Sequence, residues 1–225
     1  MSEFAQARHN MVENQLRPSQ IDAPALLDAM EAVPRELFLP KRLRPVAYQD
    51  EDIDLGNGRH LIEPLALAKM LQSAGARRDE VALVIGCHTG YCAAVLSKLV
   101  ATVFHLGADD DEARGIETLL AELGCDNVVV QGQSTTAAEE GLPEQAPFGL
   151  ILLAGSVTAP PKALLEQLEE EGRLVCVVEA AGDGRMRGGK VTVVRRYGDA
   201  FGTRAPFDAA IPPLRSLRPA PGFVF

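Results

Sequence analysis

The sequence predicts an α/β protein built on a mostly parallel β-sheet, and three observations lead to that class. Short apolar runs alternate with helix-like segments through the middle of the chain. Several of these runs are apolar throughout, as strands are when helices cover both faces of their sheet. Strand–helix–strand order requires parallel strands joined by right-handed crossovers, with ligands bound beyond the carboxyl ends of the strands.

The alternating middle segment contains five predicted strands and three predicted helices. The strands are expected at 81–85, 102–106, 127–131, 150–153 and 174–178. The helices are expected at 91–100, 111–123 and 161–169. From residue 190 onward the chain is rich in β-forming residues, proline and glycine, which favours antiparallel strands at the sheet edge.

The first third of the chain is predicted to be helical and loop-like. Helices are expected at 4–16, at 25–33 with Asp22 as the N-cap, and at 65–74 after Pro64. The acidic, glycine-bearing stretch 50–60 is interpreted as a loop or hairpin over the core.

No linker divides the chain, so we expect a single domain over residues 1–225. Within it we distinguish an N-terminal helical region (1–78), an alternating strand–helix core (79–180) and a C-terminal β-rich edge (181–225).

Composition and charge narrow the function. The 225 residues are 47% apolar and carry a net charge of −9, which argues against nucleic acid as a partner. No apolar run reaches the roughly 20 residues that cross a bilayer, and the N-terminus lacks a signal-peptide core. Four irregularly spaced cysteines suit a reducing compartment. We therefore expect a cytoplasmic protein without a membrane partner, and the sequence leaves its oligomeric state open.

The loop after the first predicted core strand has the features of a cofactor loop. Gly86 and Gly90 bound it, and small residues at such a loop allow a ligand to approach the backbone. The middle position holds the imidazole of His88. An adenosine-type cofactor also needs a carboxylate at the end of the next strand, where this chain has Gly107. Asp109 lies two residues after Gly107, so it does not occupy the position at the end of the strand.

Several motifs resemble one known family along nearly the whole chain. The matching segments are 11–16, 33–40, 47–50, 58–64, 90–96, 146–148, 164–168 and 172–175. They resemble, in the same order, segments of the protein-L-isoaspartate O-methyltransferases. The resemblance implies a seven-stranded, Rossmann-like, S-adenosylmethionine-dependent methyltransferase fold. It also implies S-adenosylmethionine as cofactor, no metal, and isoaspartyl carboxylates of damaged proteins as substrate.

The substrate segment departs from the family pattern at its chemical centre. The family's active-site serine position is Ile62, which has no hydrogen-bonding side chain. The next position is Glu63, whose carboxylate is expected to repel a carboxylate substrate. Tyr48 and Asp50 belong either to the family's pocket or to structural hydrogen bonds that anchor the loop.

The cofactor positions depart from the family in the same way. The resemblance places cofactor contacts at Gly86, His88 and Gly90, at Gly107 or Asp109, and at Gln133. The family has acidic residues at the positions of Val84, Gly107, Gln133 and Gly149. Because each lost polar contact costs on the order of 1–3 kcal/mol, we expect the affinity for the cofactor to be greatly reduced.

Three local patterns have simpler interpretations. Cys87, His88 and Cys92 suggest zinc, but they lack the Cys-x-x-Cys spacing of a zinc site. His60 is interpreted as a surface residue rather than a catalytic base. Residues 184–190 satisfy a phosphate-loop pattern but are followed by a β-type run, so a hairpin turn is expected there.

Three functions remain open from the sequence. The first is an isoaspartate methyltransferase with compensating cofactor contacts. The second is a pseudoenzyme that serves as a binding or regulatory module. The third is an enzyme that uses the same cleft for another ligand, through His88, His60 and Glu63. The coordinated losses favour the second.

Overall fold

The computed structural model describes residues 2–107, 109–132, 138–180 and 188–217. Three helices and a small hairpin precede the main sheet. They are α1 (Glu3–Met11), α2 (Pro24–Ala32), the antiparallel strands β1 (Ile53–Gly56) and β2 (Arg59–Leu61), and α3 (Pro64–Ala74). The expected hairpin within 50–60 and the helix after Pro64 are therefore confirmed.

The main sheet has seven strands, of which the first five in chain order are mutually parallel and the last two antiparallel. Its strands are β3 (Val81–Ile85), β4 (Thr102–Gly107), β5 (Val128–Gly132), β6 (Phe148–Val157), β7 (Leu168–Glu179), β8 (Gly189–Tyr197) and β9 (Ala200–Ala209). They lie across the sheet in the order β5-β4-β3-β6-β7-β8-β9. The order reverses beside β3, which places the switch point at the glycine loop.

Three helices connect the parallel strands, and two expectations about helices are wrong. The helices are α4 (Tyr91–Ser97), α5 (Asp110–Glu122) and α6 (Lys162–Leu165). The helix expected over 161–169 is a single turn, because Leu168 already pairs with Phe148 in the sheet. Asp22 does not cap α2; Ala23 holds that position, because Pro24 begins the helix one residue earlier than expected.

The boundaries of other elements shift by a few residues. Helix α1 is followed by a π-helical turn, Val12–Leu16, within the predicted range 4–16. Strands β6 and β7 are longer at both ends than expected. Strands β4 and β5 each extend one residue further, to Gly107 and Gly132, which pair with each other.

The core supports a single domain. One buried apolar cluster on one face of the sheet contains Met11, Leu67, Val84 and Val193, and so includes the helical N-terminus, the parallel strands and the C-terminal β-region. A second cluster, around Phe148, fills the other face. We propose that residues 1–225 form one domain with the regions 1–78, 79–180 and 181–225. Among the described residues, no helix has the length and hydrophobicity to cross a membrane.

Candidate functional site

The glycine loop is held by close packing at both of its glycines. Gly86 and Gly90 have positive φ angles of 84° and 82°. A Cβ atom at Gly86 would lie 2.3 Å from the side chain of Leu214, and one at Gly90 would lie 2.6 Å from that of Ile116. Both positions therefore require glycine for steric as well as conformational reasons.

His88 lies between these glycines and is tied to α5. Its Nδ1 is 3.5 Å from Oε1 of Glu112, and Nη1 of Arg59 is 3.4 Å from the same oxygen. Glu112 is nearly buried, whereas His88 and Arg59 are partly exposed. The glycine loop, β2 and α5 are thus joined by charged side chains that converge on Glu112.

A cavity of about 460 Å³ opens beside this group. One wall is apolar and comes from the segment 37–40, from Leu55 and from α5. Its polar and charged lining residues are Arg59, His88, Thr89, Asp109, Asp111 and Glu112. The cavity brings together two of the predicted site residues, His88 and Asp109.

The carboxyl ends of β4 and β5 provide the test of whether an adenosine-type cofactor fits. Gly107 ends β4 without a carboxylate, and the space beside its Cα is bounded by Ala113, 3.5 Å from an added Cβ. Asp109 is the N-cap of α5, where its Oδ1 accepts a 2.8 Å hydrogen bond from the Glu112 N–H. Gln133 lies outside the described residues, and the sequence 133–137 contains no acid. Among the residues that the structure describes at this edge, Gly107 and Asp109 do not fit the hydrogen-bonding demand of a ribose diol.

The substrate segment places its central side chain in the core. Ile62 is buried, and its carbonyl oxygen accepts a 2.7 Å hydrogen bond from Nη2 of Arg35. The N–H of Glu63 donates to Oδ1 of Asp52 at 2.9 Å, and that of Leu65 donates to Oδ1 of Asp50 at 3.1 Å. Asp50 thereby anchors the start of α3.

The side chain of Glu63 is not fully ionised at neutral pH, as the sequence had suggested it would be. Burial, followed by the charges of Asp50 and Asp52, raises the pKa of Glu63 to about 7. Near neutral pH the Glu63 side chain is therefore a mixture of acid and carboxylate. The expected repulsion of a carboxylate ligand is correspondingly weaker.

The hydroxyl of Tyr48 and the carboxylate of Asp50 make hydrogen bonds to different parts of the N-terminal region. The Tyr48 hydroxyl donates to Glu36 and accepts a 3.3 Å hydrogen bond from Arg8 of α1. Burial and the hydrogen bond to Glu36 raise the pKa of Tyr48 well above its ordinary value. Both predicted residues therefore make structural hydrogen bonds, one to α1 and the other to α3.

Sequence reasoning missed Glu112 and His105. Glu112 lies one helical turn before the buried Ile116, so helical periodicity was a usable signal for its inward position. His105 is buried in β4, and both of its ring nitrogens are without a hydrogen-bond partner in the described part of the chain. Burial lowers the pKa of His105 to about 4. No sequence pattern marked His105, because it is a single histidine within a β-type run.

The remaining local patterns lie partly within the described residues. The described ranges contain no group of three His, Cys, Asp or Glu side chains arranged as metal ligands. His60 lies 3.9 Å from Asp54, measured from Nε2 to Oδ1. Lys190 of the phosphate-loop pattern lies in β8, where no helix begins, and the turn expected within 181–187 lies outside the described residues.

Five parallel strands followed by two antiparallel ones, with a glycine loop after β3, define a Rossmann-like methyltransferase fold. Comparison with known proteins then identifies the family. Residues 6–196 match the family model described as protein-L-isoaspartate(D-aspartate) O-methyltransferase (PCMT). The chain belongs to the PCMT family.

Individual relatives extend over most of the chain. A protein-L-isoaspartate O-methyltransferase 2 from Pelobacter propionicus is 38% identical over 175 residues, covering 77% of this chain and 76% of the relative. A protein-L-isoaspartate O-methyltransferase from Roseiflexus castenholzii is 34% identical over 212 residues, covering 94% and 93%.

Solved structures support the same fold. One named as a protein-L-isoaspartate O-methyltransferase has a TM-score of 0.76 at 20% identity, covering 92% of this chain and 65% of that one. A Plasmodium falciparum protein described as a beta-aspartate methyltransferase (PCMT), in complex with S-adenosyl-L-homocysteine, has a TM-score of 0.75 at 18% identity, covering 93% and 98%.

Proposed function

We propose that this PCMT-family protein has lost isoaspartyl methyl transfer from S-adenosylmethionine and acts as a binding module. One observation carries the proposal. The ribose-facing end of β4 is Gly107, and the nearest following acid, Asp109, uses its carboxylate to cap α5. A ribose diol at this edge would therefore lose hydrogen-bond acceptors on which its binding depends.

The substrate side supports the same conclusion. The family's serine position is Ile62, which lies in the apolar core and offers a ligand no polar group. The neighbouring Glu63 shares its surroundings with Asp50 and Asp52, whose charges help to raise its pKa to about 7. A carboxylate substrate would meet no cationic or hydroxyl group from Ile62 or Glu63.

An active enzyme with compensating contacts is a second candidate, and Glu112 is the observation that favours it. Its nearly buried carboxylate lines the same cavity as His88 and Asp109. In this alternative Glu112 replaces the acid missing at Gly107, and the substrates are isoaspartyl-containing proteins. The same cavity would serve a reassigned enzyme, whose ligand would meet Arg59 and His88.

Methyl-transfer assays separate these candidates. Purified protein is incubated with methyl-labelled S-adenosylmethionine and an isoaspartyl peptide, beside the normal aspartyl peptide as control. The proposal predicts no isoaspartyl-dependent label above the aspartyl control. Transfer at a rate near that of a normal PCMT would overturn it.

A matched variant identifies the source of any residual activity. If methyl transfer is present and Glu112→Gln abolishes it while Asp111→Asn does not, Glu112 supplies the compensating contact. Asp111 is a suitable control because its exposed carboxylate lies at the mouth of the same cavity.

We also propose a cytoplasmic location, with neither nucleic acid nor a membrane as partner, on the basis of charge and composition.

A further inference from the structure

Two buried cysteines lie together at the glycine loop. Cys87 follows Gly86, and Cys92 is in the first turn of α4. The Gly90 N–H donates to the Cys87 carbonyl at 3.2 Å, and this turn brings the chain back over Cys87. The Cys92 N–H then donates to Sγ of Cys87 at 3.2 Å. The two thiols are therefore held side by side.

A buried cation lies next to this pair. Arg35 is fully buried; its Nε donates to the Ala47 carbonyl and its Nη2 to the Ile62 carbonyl, both at 2.7 Å. Its Nη1 has no hydrogen-bond partner among the described residues, which also contain no ion pair between Arg35 and a carboxylate. Its Cζ lies 4.8 Å from the ring centroid of Tyr91, the residue before Cys92.

The guanidinium makes an anion at the cysteine pair favourable. A buried cation is costly without nearby anions, and Arg35 interacts electrostatically with Cys87 and Cys92 as well as with Asp52 and Glu63. A thiolate at Cys87 would add a counter-charge on the side of the glycine loop. Reactive cysteines lie beside cationic groups and hydrogen-bond donors and are partly exposed. Cys87 has both kinds of neighbour and is 4% exposed.

The two thiols differ in acidity. Burial alone would raise the pKa of Cys87, but hydrogen bonds from Cys92 and Thr89 outweigh it and lower that pKa to about 6. The hydrogen bond to Cys87, together with burial, raises the pKa of Cys92 well above its ordinary value. Cys87 is therefore the more acidic thiol of the pair.

We propose that Cys87 and Cys92 form a peroxide-sensitive thiol pair in which Cys87 attacks and Cys92 resolves. The Cys87 thiolate attacks one oxygen of hydrogen peroxide; an S–O bond forms, the O–O bond breaks, and hydroxide leaves to become water. The Cys92 sulfur then attacks the sulfur of the Cys87 sulfenic acid; the S–S bond forms, the S–O bond breaks, and the leaving hydroxide takes the Cys92 proton to become a second water, while the hydroxide of the first step takes its proton from solvent. Two thiols are oxidised to one disulfide, and one peroxide is reduced to two waters.

The disulfide would fix the glycine loop to α4. It closes a short ring over residues 87–92, which contains His88 and Gly90. The inference does not depend on the fate of methyl transfer, because it rests on Arg35 and the thiol geometry alone.

Peptide mass spectrometry of the native protein tests the pair directly. Tryptic cleavage after Arg78 and Lys98 leaves Cys87 and Cys92 in one peptide, while Cys125 and Cys176 fall in two others. After treatment with hydrogen peroxide and blocking with iodoacetamide, we expect the 79–98 peptide to lose two hydrogens and to escape alkylation. Dithiothreitol should restore both thiols.

The other buried cysteines provide internal controls. Burial raises the pKa of Cys176 to about 12, so its peptide should stay reduced under the same treatment. Cys92→Ser should leave Cys87 as a sulfenic acid that dimedone traps, and Cys87→Ser should abolish peroxide consumption by this peptide. These variants add detail, but the wild-type result alone decides the proposal.

Two results would overturn the proposal. One is a native 79–98 peptide that peroxide oxidises no faster than the Cys125 and Cys176 peptides. The other is an iodoacetamide reaction of Cys87 that rises with pH only near pH 8 to 9, as for an ordinary thiol. The proposal predicts that this rate is already close to its plateau at pH 7.

Discussion

The two ends of the parallel strands differ in the length of the contacts that their charged groups make. At the amino-terminal end, buried Arg173 bonds the Ala74 carbonyl at 2.6 Å and those of Gly149 and Gly75 at 2.8 and 2.7 Å. Its two terminal nitrogens also bind the buried carboxylate of Glu80. At the carboxyl end, the contacts of Glu112 with Arg59 and His88 are longer, at 3.4 and 3.5 Å.

The amino-terminal end of the strands serves mainly to stabilise the fold, whereas the carboxyl end is where such folds bind ligands. The Arg173 network joins α3, β6 and β7, so any sequence that keeps the fold must satisfy it. The carboxyl end carries the ligand site in folds of this kind. Here that end has Gly107, a capping Asp109 and a His88 that lies 3.5 Å from Glu112, an arrangement that is compatible with folding and that we propose no longer holds an adenosine cofactor.

The largest effect on stability is expected at the amino-terminal end. Arg173→Met removes the buried cation beside the Glu80 carboxylate, which keeps its ion pair with the half-exposed Arg77, and the loss should cost about 3–5 kcal/mol of the free energy of unfolding. Urea denaturation measures the change. Lys162→Met, which removes an exposed pair with Glu166, is the control and should change stability little. A loss below about 1 kcal/mol for Arg173→Met would contradict the importance of this network.

The buried His105 of β4 should make the free energy of unfolding depend on pH. Its pKa falls from 6.5 to about 4 in the folded protein, so the unfolded chain binds the proton first. Stability from the neutral ring is present above about pH 6.5 and declines by about 3 kcal/mol as the pH falls to about 4. His105→Leu should flatten the stability profile in this window. An unchanged slope between pH 6.5 and 4 would show that His105 is solvated.

Glu63 should have the opposite pH dependence and a smaller effect. Its pKa is raised from 4.5 to about 7, so its stabilising contribution is present below about pH 4.5 and is lost as the pH rises through 7. Because the side chain is partly exposed, solvent screening limits the effect to on the order of 1 kcal/mol. Glu63→Gln should raise the Tm at pH 8 and leave it unchanged at pH 4. Equal shifts at both pH values would contradict this assignment.

The smallest effect is expected at Arg59. Its ion pair with Glu112 is long and half-exposed, so Arg59→Ala should cost less than about 1 kcal/mol. Urea denaturation beside Arg173→Met gives the comparison under one set of conditions. A cost similar to that of Arg173→Met would mean that both ends of the sheet are equally structural.

The sequence predicted the fold well because the pattern that determines it is local. Apolar runs such as 81–85 and the helix after Pro64 are recognisable within a few residues. The pairs that define the ligand end are not local: Arg59 and Glu112 are 53 positions apart. The acid-poor positions Gly107 and Gln133 were identified through resemblance to the family, whereas the capping role of Asp109 required the structure.

Titration calorimetry with S-adenosyl-L-homocysteine is the most direct test of the lost cofactor site. The wild-type protein is compared with Gly107→Glu, a substitution whose Cβ would make ordinary contact with Ala113. We predict no wild-type binding at millimolar ligand and a gain of about tenfold or more in Gly107→Glu, equivalent to at least about 1.4 kcal/mol. Micromolar binding by the wild-type protein would contradict the account.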